Sequence, residues 1–395
     1  MRIQIPRALS AITALAAVAL AALAGTAGAV ARVAPRAGAV SAGAAARAPV
    51  GYVANNGSGT VTPVNTATGK AGKPIKVGGA PALVAVTPDG KTAYVTTGPA
   101  TVVPIATTSN TAGPAITVGR MPEAIAITPD SATAYVANSG SGTVTPIDTA
   151  TNAAGPAITV GKGPDAIAIT PDGATAYVAN FGSGTVTPVD TATNTAGPAI
   201  AVGKGPDDIA ITPDGATAYV ADANAGTVTP VSIASGKAGP AIKVGGFPDD
   251  IAITPNGKSA YVTIITAKNS VVPIQTATNT AGKPIKGPKS ASVIVIAGNG
   301  KTAYVNGSVP AGPDFDSFLT PIKIPANTAG KAIQFGVHTD VSDLELVPGG
   351  KTAYVVIFVL LPGFAGSATA LNMATGTFGR SAAVGSRPFS IAFTP

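Results

Sequence analysis

Three features of this sequence predict an all-β fold built from repeated four-stranded antiparallel sheets. A unit of about 42 residues recurs from residue 51 to residue 395. Within the unit, large and small or polar residues alternate with a period of two, the period of a β-strand. Glycine and proline, with 48 and 35 residues, mark regular turns between the strands. We therefore expect no helical domain.

The unit at residues 164–203 shows the strands most completely. Four strands are expected at residues 167–170, 175–179, 185–189 and 199–202. The Thr-Pro-Asp-Gly segment at 170–173 makes the first turn, because proline fixes φ and glycine accepts a positive φ. One such unit cannot bury both of its faces, so the copies must stack against one another.

Radial stacking of the units gives a β-propeller. Large Ile167 and Ile169 alternate with small Ala166 and Ala168, so the bulky face of one blade fits the flat face of the next. One tyrosine marks the second strand of each repeat, which predicts eight blades: Tyr52, Tyr94, Tyr135, Tyr177, Tyr219, Tyr261, Tyr304 and Tyr354. The first repeat begins at its second strand, and residues 388–395 form a first strand without a successor. Pairing of the two termini is expected to close the ring.

The motifs T-P-D-G-x-x-A-Y-V-A-N and T-V-T-P-[IV]-[DN]-T-A-T resemble the YVTN-type β-propeller repeat of bacterial and archaeal secreted and surface-layer proteins. The resemblance covers residues 51–395 and implies a propeller outside the cytoplasm. The wider group includes periplasmic binding propellers, a DNA-binding member and lactonase-like enzymes, so no single reaction is implied. Its members usually have seven blades, which keeps seven as the alternative to eight.

The N-terminus is interpreted as a signal peptide over residues 1–29. Arg2 and Arg7 precede an apolar run at 8–24, and Ala-Gly-Ala at 27–29 fits a cleavage site. A retained membrane anchor is the alternative, but the run is shorter than the ~20 residues that a spanning helix needs. We expect a secreted or cell-surface protein with no membrane span after cleavage.

Residues 30–49 are expected to form a flexible arm, because they contain no aromatic residue and no hydrophobic period. The charge of the whole chain is +7, but five arginines and no acidic residue precede residue 50. Residues 50–395, the predicted propeller, therefore carry 20 basic against 18 acidic residues. Sequence-specific nucleic-acid binding is not expected, and weak nucleic-acid binding is kept as a second alternative function.

Two repeated features bear on the site. Prolines inside the third strand indicate either a bulge or a place that the fourth strand does not reach: residues 63, 104, 146, 188, 230, 273 and 321. Acidic residues gather where a fourth strand crosses to the next first strand, and we predict an acidic collar at one channel mouth: Glu123, Asp165, Asp207, Asp208, Asp249 and Asp250. The collar could hold a cation or a basic ligand, although solvated carboxylates at strand ends would give the same pattern.

The last two repeats break the pattern with insertions at 308–318 and 356–364, interpreted as irregular loops on the face of the collar. The predicted binding surface there comprises Asp314, Phe315, Asp316, Phe318, His338, Asp340, Asp343, Phe358, Leu360, Leu361 and Phe364. In addition, Glu345 replaces a small residue of the inner strand.

No catalytic residue is predicted. The sequence favours a non-catalytic, monomeric binding or cell-surface scaffold whose partner is a protein or a cell-envelope component. The alternative is a lactonase-like or calcium-dependent hydrolase, for which His338 and the aspartates at 314, 316, 340 and 343 are the one oxygen-rich group suited to calcium. No other cofactor is expected, because one histidine, no cysteine and no tryptophan leave little for copper, haem or quinone chemistry.

Overall fold

The computed structural model describes residues 48–265, 270–286, 291–311, 314–335, 339–359 and 366–395, without the side chains of residues 270, 309–311, 314 and 315. The predicted signal peptide and nearly all of the predicted arm lie outside these residues. Every regular element of the described residues is a β-strand, as the sequence predicts.

The strands of the first half are β1 (Val50–Asn55), β2 (Thr60–Asn65), β3 (Lys70–Ala71), β4 (Ile75–Lys76), β5 (Pro81–Val86), β6 (Thr92–Thr97), β7 (Thr101–Ala106), β8 (Thr111–Ala112), β9 (Ile116–Thr117), β10 (Pro122–Ile127), β11 (Thr133–Asn138), β12 (Thr143–Asp148), β13 (Ala153–Ala154), β14 (Ile158–Thr159), β15 (Pro164–Ile169), β16 (Thr175–Asn180), β17 (Thr185–Asp190), β18 (Thr195–Ala196) and β19 (Ile200–Ala201). Those of the second half are β20 (Pro206–Ile211), β21 (Thr217–Asp222), β22 (Thr227–Ser232), β23 (Lys237–Ala238), β24 (Ile242–Lys243), β25 (Phe247–Ile253), β26 (Ser259–Ile265), β27 (Ser270–Gln275), β28 (Thr280–Ala281), β29 (Ile285–Lys286), β30 (Ala291–Ile296), β31 (Thr302–Ala311), β32 (Asp314–Lys323), β33 (Thr328–Ala329), β34 (Ile333–Gln334), β35 (Thr339–Leu346), β36 (Thr352–Val359), β37 (Gly366–Asn372), β38 (Phe378–Val384) and β39 (Pro388–Phe393).

The described strands form eight antiparallel blades, which confirms the predicted propeller. In blade 4, β15, β16 and β17 pair in order, and β18 and β19 both pair with the outer side of β17. Blades 2 to 7 repeat this order from their inner strands β5, β10, β15, β20, β25 and β30. Blade 8 consists of β35 to β38, and blade 1 combines β39 with β1 to β4. A single parallel bridge between Asp316 and Thr339 joins blades 7 and 8 into one sheet.

The outer strand of most blades is split in two, where one continuous strand at 199–202 was predicted for blade 4. Pro188 lies opposite Tyr177 of the second strand, and its carbonyl accepts the N–H of Gly197 at 2.7 Å. The proline nitrogen therefore faces outward, towards the gap between β18 and β19. The second interpretation of the repeated prolines is correct, because the missing N–H falls where the outer strand does not pair.

The terminal strands close the ring. β39 pairs antiparallel with β1, with Val53 opposite Ile391 and Gly51 opposite Phe393. The N–H of Thr394 also donates to the carbonyl of Val50 at 3.0 Å. Closure leaves no inner strand of the described blades without a neighbour, as the truncated first repeat predicts.

The core of the protein lies between blades rather than within one sheet. Eight buried clusters each combine residues of two adjacent blades, and the last of them joins blade 8 to blade 1. Ile167 belongs to the cluster of blades 3 and 4, whereas its neighbour Ala166 belongs to that of blades 4 and 5. The alternation of large and small residues thus assigns each side chain to one of two interfaces.

Tyrosine hydroxyls tie neighbouring blades together. Tyr135 donates to Asn194 Oδ1 of the next blade at 2.7 Å, and Asn194 adopts a left-handed φ of 54° that asparagine tolerates well. The same bond joins Tyr52 to Asn110, Tyr94 to Asn152, Tyr219 to Asn279 and Tyr261 to Asn327. Glycine replaces this asparagine at residues 69, 236 and 376.

Candidate functional site

One face of the propeller brings the crossings and the loops between second and third strands together; we call it the collar face. The crossings contact these loops through backbone hydrogen bonds. Ser139 N–H donates to the carbonyl of Met121, and Phe181 N–H donates to that of Gly163, both at 2.8 Å. The sequence-predicted collar residues lie on this face, because the inner strands begin here.

Four of the predicted collar residues form a row that we call the acidic arc: Glu123, Asp165, Asp207 and Asp249. Each directly follows a proline that is the first residue of its inner strand, or in blade 6 the second, and each lies at a register shift. In blade 4, Pro164 pairs with Asn180 and Ala166 with Ala179, so Asp165 is the extra residue of a β-bulge. The bulge leaves the carboxylate outside the ladder and directs it towards its neighbours of the adjacent blades.

The carboxyls of the arc interact from blade to blade. Asp207 shares side-chain hydrogen bonds with both Asp165 and Asp249. Burial, followed by the charge of Asp207, raises the pKa of Asp165 to about 8. Burial, followed by the charge of Asp250, raises the pKa of Asp249 to about 8, and burial also raises the pKa of Asp207 well above its usual range. Carboxyls in such a row hold protons in common and favour a positively charged neighbour.

Two further predicted collar residues make different contacts. Asp208 Oδ2 accepts the N–H of Ile251 at 2.9 Å, and Asp250 Oδ2 accepts the N–H of Ile294 at 2.8 Å. Each bond ties an inner strand to that of the next blade. Asp343, predicted for the binding surface, does the same, because its Oδ2 accepts the N–H of Ile391 at 2.9 Å and only 3% of the residue is exposed. These three aspartates are therefore engaged in holding the ring together.

Large apolar side chains surround the acidic arc, and sequence reasoning missed them. Met121 is 55% exposed and Phe247 56%, both at crossings, and Phe181 is 39% exposed in a loop of blade 4. Met121 adopts a φ of 54°, in the left-handed region that Gly163 and Gly205 occupy at the same point of their repeats. A non-glycine residue there is strained, and such strain concentrates at functional positions. The sequence contains a signal for these side chains, because Met121 precedes Pro122 where other repeats have glycine before the proline, as in Gly163-Pro164.

Charged residues and one cleft complete this face. Arg120, Lys162 and Lys204 are exposed on the crossings to blades 3, 4 and 5. An open cleft of about 420 Å³ lies beside Phe247, and it is lined by residues 224–227, Lys243 and residues 245–247. The cleft offers an aromatic ring, an ammonium group and several backbone polar groups to a ligand.

Blades 7 and 8 extend beyond the other blades on the collar face. The insertion at 308–318, predicted as an irregular loop, instead continues β31 and β32 as a regular hairpin whose last pair is Ala311 with Asp314. In blade 8, β36 extends to Val359, and Phe358 lies between Asp340 and Gly366. The loop interpretation was therefore wrong for the described part of both insertions.

The predicted binding-surface residues are brought together only in part. Phe318, Asp316, Asp340 and Phe358 are half-buried near the junction of the two blades. Gln334 Nε2 donates to Asp316 Oδ2 at 3.3 Å, and burial raises the pKa of Asp340. The backbone of Asp314 and Phe315 lies in β32. His338, Leu360, Leu361 and Phe364 lie outside the described residues.

The described residues contain neither a metal-binding cluster nor a membrane-spanning helix. Within the described ranges, no three histidine, cysteine, aspartate or glutamate side chains are grouped so as to hold a metal ion. The predicted calcium site includes His338 and the side chain of Asp314, which are outside those ranges. The described residues also include no helix that is long and apolar enough to cross a membrane.

Comparison with known proteins identifies the fold. No protein-family model matches the sequence, and no curated protein does. Dihydro-heme d1 dehydrogenase NirN, solved in complex with DHE, has a TM-score of 0.73 at 14% identity, over 90% of this chain and 77% of that one. Kuenenia stuttgartiensis hydrazine synthase has a TM-score of 0.56 at 26% identity, over 64% of this chain and 77% of that one. A functionally unknown protein from Desulfotomaculum acetoxidans DSM 771 has a TM-score of 0.57 at 17% identity, over 87% and 98%. These similarities agree with the strand order in showing that the chain is a β-propeller.

Proposed function

We propose that this chain is a secreted, non-catalytic binding propeller of the YVTN type whose collar face recognises a protein or a cell-envelope component. The observation that carries the proposal is the set of exposed apolar side chains, Met121, Phe181 and Phe247, placed around a row of half-buried carboxylates. Large exposed apolar groups with a polar surround are typical of interaction surfaces.

The energetics of Met121 support a functional origin. A left-handed conformation costs a non-glycine residue about 1–2 kcal/mol, which glycine would avoid. The exposed thioether contributes little to the core, because more than half of the residue is in solvent. Retaining methionine at this position is explained if a partner buries it, since a buried anchor residue contributes about 1–2 kcal/mol or more to binding.

The charges indicate what kind of partner would fit. The acidic arc at the channel mouth would accept a cationic group, and the outer Arg120, Lys162 and Lys204 would meet carboxylates or phosphates. The raised blades 7 and 8 would form one wall of the surface, with Phe318 and Phe358 at its base. Secretion is supported by the charged and apolar segments of residues 1–29.

Retention on the cell envelope of the producing organism tests the proposal. We expect the variant Met121→Gly, Phe181→Ser, Phe247→Gly to bind at least about tenfold more weakly than the wild type, because tenfold corresponds to only 1.4 kcal/mol. The matched control is Phe378→Ser, which removes an exposed phenylalanine from the outer edge of blade 8. The control is expected to bind like the wild type.

A second variant measures how much the last two blades contribute to retention on the cell envelope. Replacing Phe358, Leu360, Leu361 and Phe364 with serine is expected to weaken retention while the melting temperature holds. Wild-type retention by both variants would contradict a collar-face binding site. If the purified wild type hydrolyses lactones and both variants keep that activity, the result would instead support a hydrolase.

A further inference from the structure

The outer strands of the blades divide the ring into a charged part and an uncharged part. In blades 2, 3 and 4, the outer strands at residues 111–117, 153–159 and 195–201 contain no charged residue. The outer strands of blades 5, 6, 7, 8 and 1 carry nine basic residues and no acidic one: Lys237, Lys243, Lys283, Lys286, Lys331, Arg380, Lys70, Lys73 and Lys76. All nine are exposed, and we call this set the basic rim.

The basic rim is continuous, because closure of the ring makes blades 8 and 1 neighbours. The outer strands of adjacent blades contact one another where β24 meets β28 and where β29 meets β33. The ring centroids of Phe335 and Phe378 lie 5.1 Å apart and join blade 7 to blade 8. Arg380 Nη1 donates a 2.7 Å hydrogen bond to the carbonyl of Thr68, which joins blade 8 to blade 1. The nine cations therefore belong to one surface that extends over five consecutive blades.

The protein does not neutralise the cations of the basic rim. Within the described residues, none of the nine forms an ion pair with a carboxylate, unlike Lys91, whose Nζ lies 3.0 Å from Asp89 Oδ2 in a turn. The acidic arc lies on the inner strands, and the second and third strands of each blade separate it from the rim. An exposed surface with charges of one sign attracts ligands of the opposite sign. The rim is therefore suited to an anion.

The shape of the basic rim limits the kind of anion that fits. Packed sheets lie about 10 Å apart, so four steps from blade to blade extend over at least about 40 Å. Four steps among eight radial blades also turn the rim through about half a circle. A flat membrane would touch only one part of such a convex edge, whereas a flexible chain can follow all of it. The geometry therefore favours a long, flexible polyanion.

We propose that the basic rim binds a linear phosphodiester polymer of the cell envelope, which follows the ring from blade 5 to blade 1. Eight of the nine cations are lysines, which attract phosphates as point charges and do not require one orientation. Phe378 is the one aromatic residue of these outer strands, so the bases of a nucleic acid would find no row of stacking platforms. The proposal rests on the proposed export of the chain, but it does not depend on the function of the collar face.

The repeats themselves supply the substitutions for a test. The rim variant introduces threonine at four positions where the uncharged blades have threonine, at residues 111, 117, 159 and 195: Lys70→Thr, Lys76→Thr, Lys237→Thr and Lys286→Thr. It keeps Lys243, which also lines the cleft beside Phe247. The matched control removes the same number of charges from turns on the face opposite the collar face, where other repeats have alanine: Lys91→Ala, Lys258→Ala, Lys301→Ala and Lys351→Ala.

The affinity of the exported full chain for purified poly(glycerol phosphate), measured at physiological ionic strength, tests the proposal. The rim variant is expected to bind about tenfold more weakly than the wild type, because it loses four of its phosphate contacts. The control is expected to stay within about twofold of the wild type, since salt screens exposed charges that are remote from the polymer. The salt dependence of binding should also become shallower in the rim variant alone, because fewer counterions are released.

Four results would overturn the proposal. Equal losses in the two variants would show that net charge, and not the basic rim, governs binding. Absence of binding by the wild type would exclude the polymer. Tighter binding of the wild type to single-stranded DNA with the same number of phosphates would assign the rim to a nucleic acid. Binding to phosphatidylglycerol vesicles without binding to the soluble polymer would assign it to a lipid surface. None of these results would contradict binding at the collar face, which the rim variant leaves intact.

Discussion

Replacing Ile391 with alanine should destabilise the whole propeller, although the residue lies only four positions before the last residue, Pro395. Ile391 is completely buried, pairs with Val53 and packs in the cluster between blades 8 and 1. Truncating a buried isoleucine to alanine costs about 2–5 kcal/mol. The matched control is Ile167→Ala, at the same point of an interior blade and 1% exposed. If the terminal strand is a full member of the ring, the two substitutions should cost equal amounts within about 1 kcal/mol.

Urea unfolding followed by tyrosine fluorescence measures both costs, since the chain has eight tyrosines and no tryptophan. Deleting residues 388–395 extends the test, because the deletion also removes the N–H that Asp343 accepts and the hydroxyl of Ser390 that contacts Val84 N–H. The shortened chain should lose cooperative unfolding. An Ile391→Ala cost below about 0.5 kcal/mol beside a full cost for Ile167→Ala would refute closure by the terminal strand.

Three further predictions follow from single contacts. Gly236→Asn should stabilise the protein by about 0.5–1.5 kcal/mol in urea unfolding. The site already has a left-handed φ of 60° and open space, and the new amide oxygen would accept a hydrogen bond from the Tyr177 hydroxyl. No gain in stability would argue that the tyrosine–asparagine hydrogen bonds do not stabilise the propeller. Met121→Gly should raise stability by about 1 kcal/mol by removing the strain, and an unchanged midpoint would contradict it. The acidic arc has raised pKa values, so its carboxyls hold protons in the folded state that the unfolded chain releases near pH ~4. Stability should therefore fall as the pH rises from about 4 to about 8, the pKa of Asp165 and Asp249, and Asp207→Asn should reduce that fall; an identical pH profile would contradict the interaction.

The fold was predictable because its determinants are local and repeated. The Thr-Pro-Asp-Gly turn and the period-two alternation are each contained within a few residues, and eight copies make the pattern unambiguous. Closure was predictable as well, because a repeat that begins at its second strand leaves one strand to be supplied from elsewhere. Ile167 and Ala166 indicate why the alternation was informative, since each contributes to a different interface.

The details that escaped prediction depend on register. Asp207 and Asp208 are adjacent residues of the same type, yet the bulge after Pro206 gives them different roles. Asp207 lies in the acidic arc, whereas Asp208 accepts a hydrogen bond from the N–H of Ile251. A shift of one residue exchanges the two sides of a strand, and sequence alone does not reveal which residue a bulge will leave unpaired. The direction of the Pro188 nitrogen is equally a property of its pairing partner.

The extended hairpin of blade 7 has a partial strand signal in its sequence. Asp314, Phe315 and Asp316 alternate polar and apolar residues as a strand does, although Ser317 and Phe318 break the alternation. The exposed Met121 and Phe247 were similarly visible as replacements for glycine at the crossings. Both departures from the repeat were therefore better guides to the candidate site than the acidic residues alone.

The most direct test of the proposed collar-face function is a hydrogen-exchange footprint of the chain with and without envelope extract. We predict protection at the crossing around Arg120 and Met121, at the loop containing Phe181, and at residues 245–247 beside the cleft. The turns at residues 87–91 and 170–173, on the opposite face, should exchange unchanged. Protection of those turns with an unprotected collar face would contradict binding at the collar face.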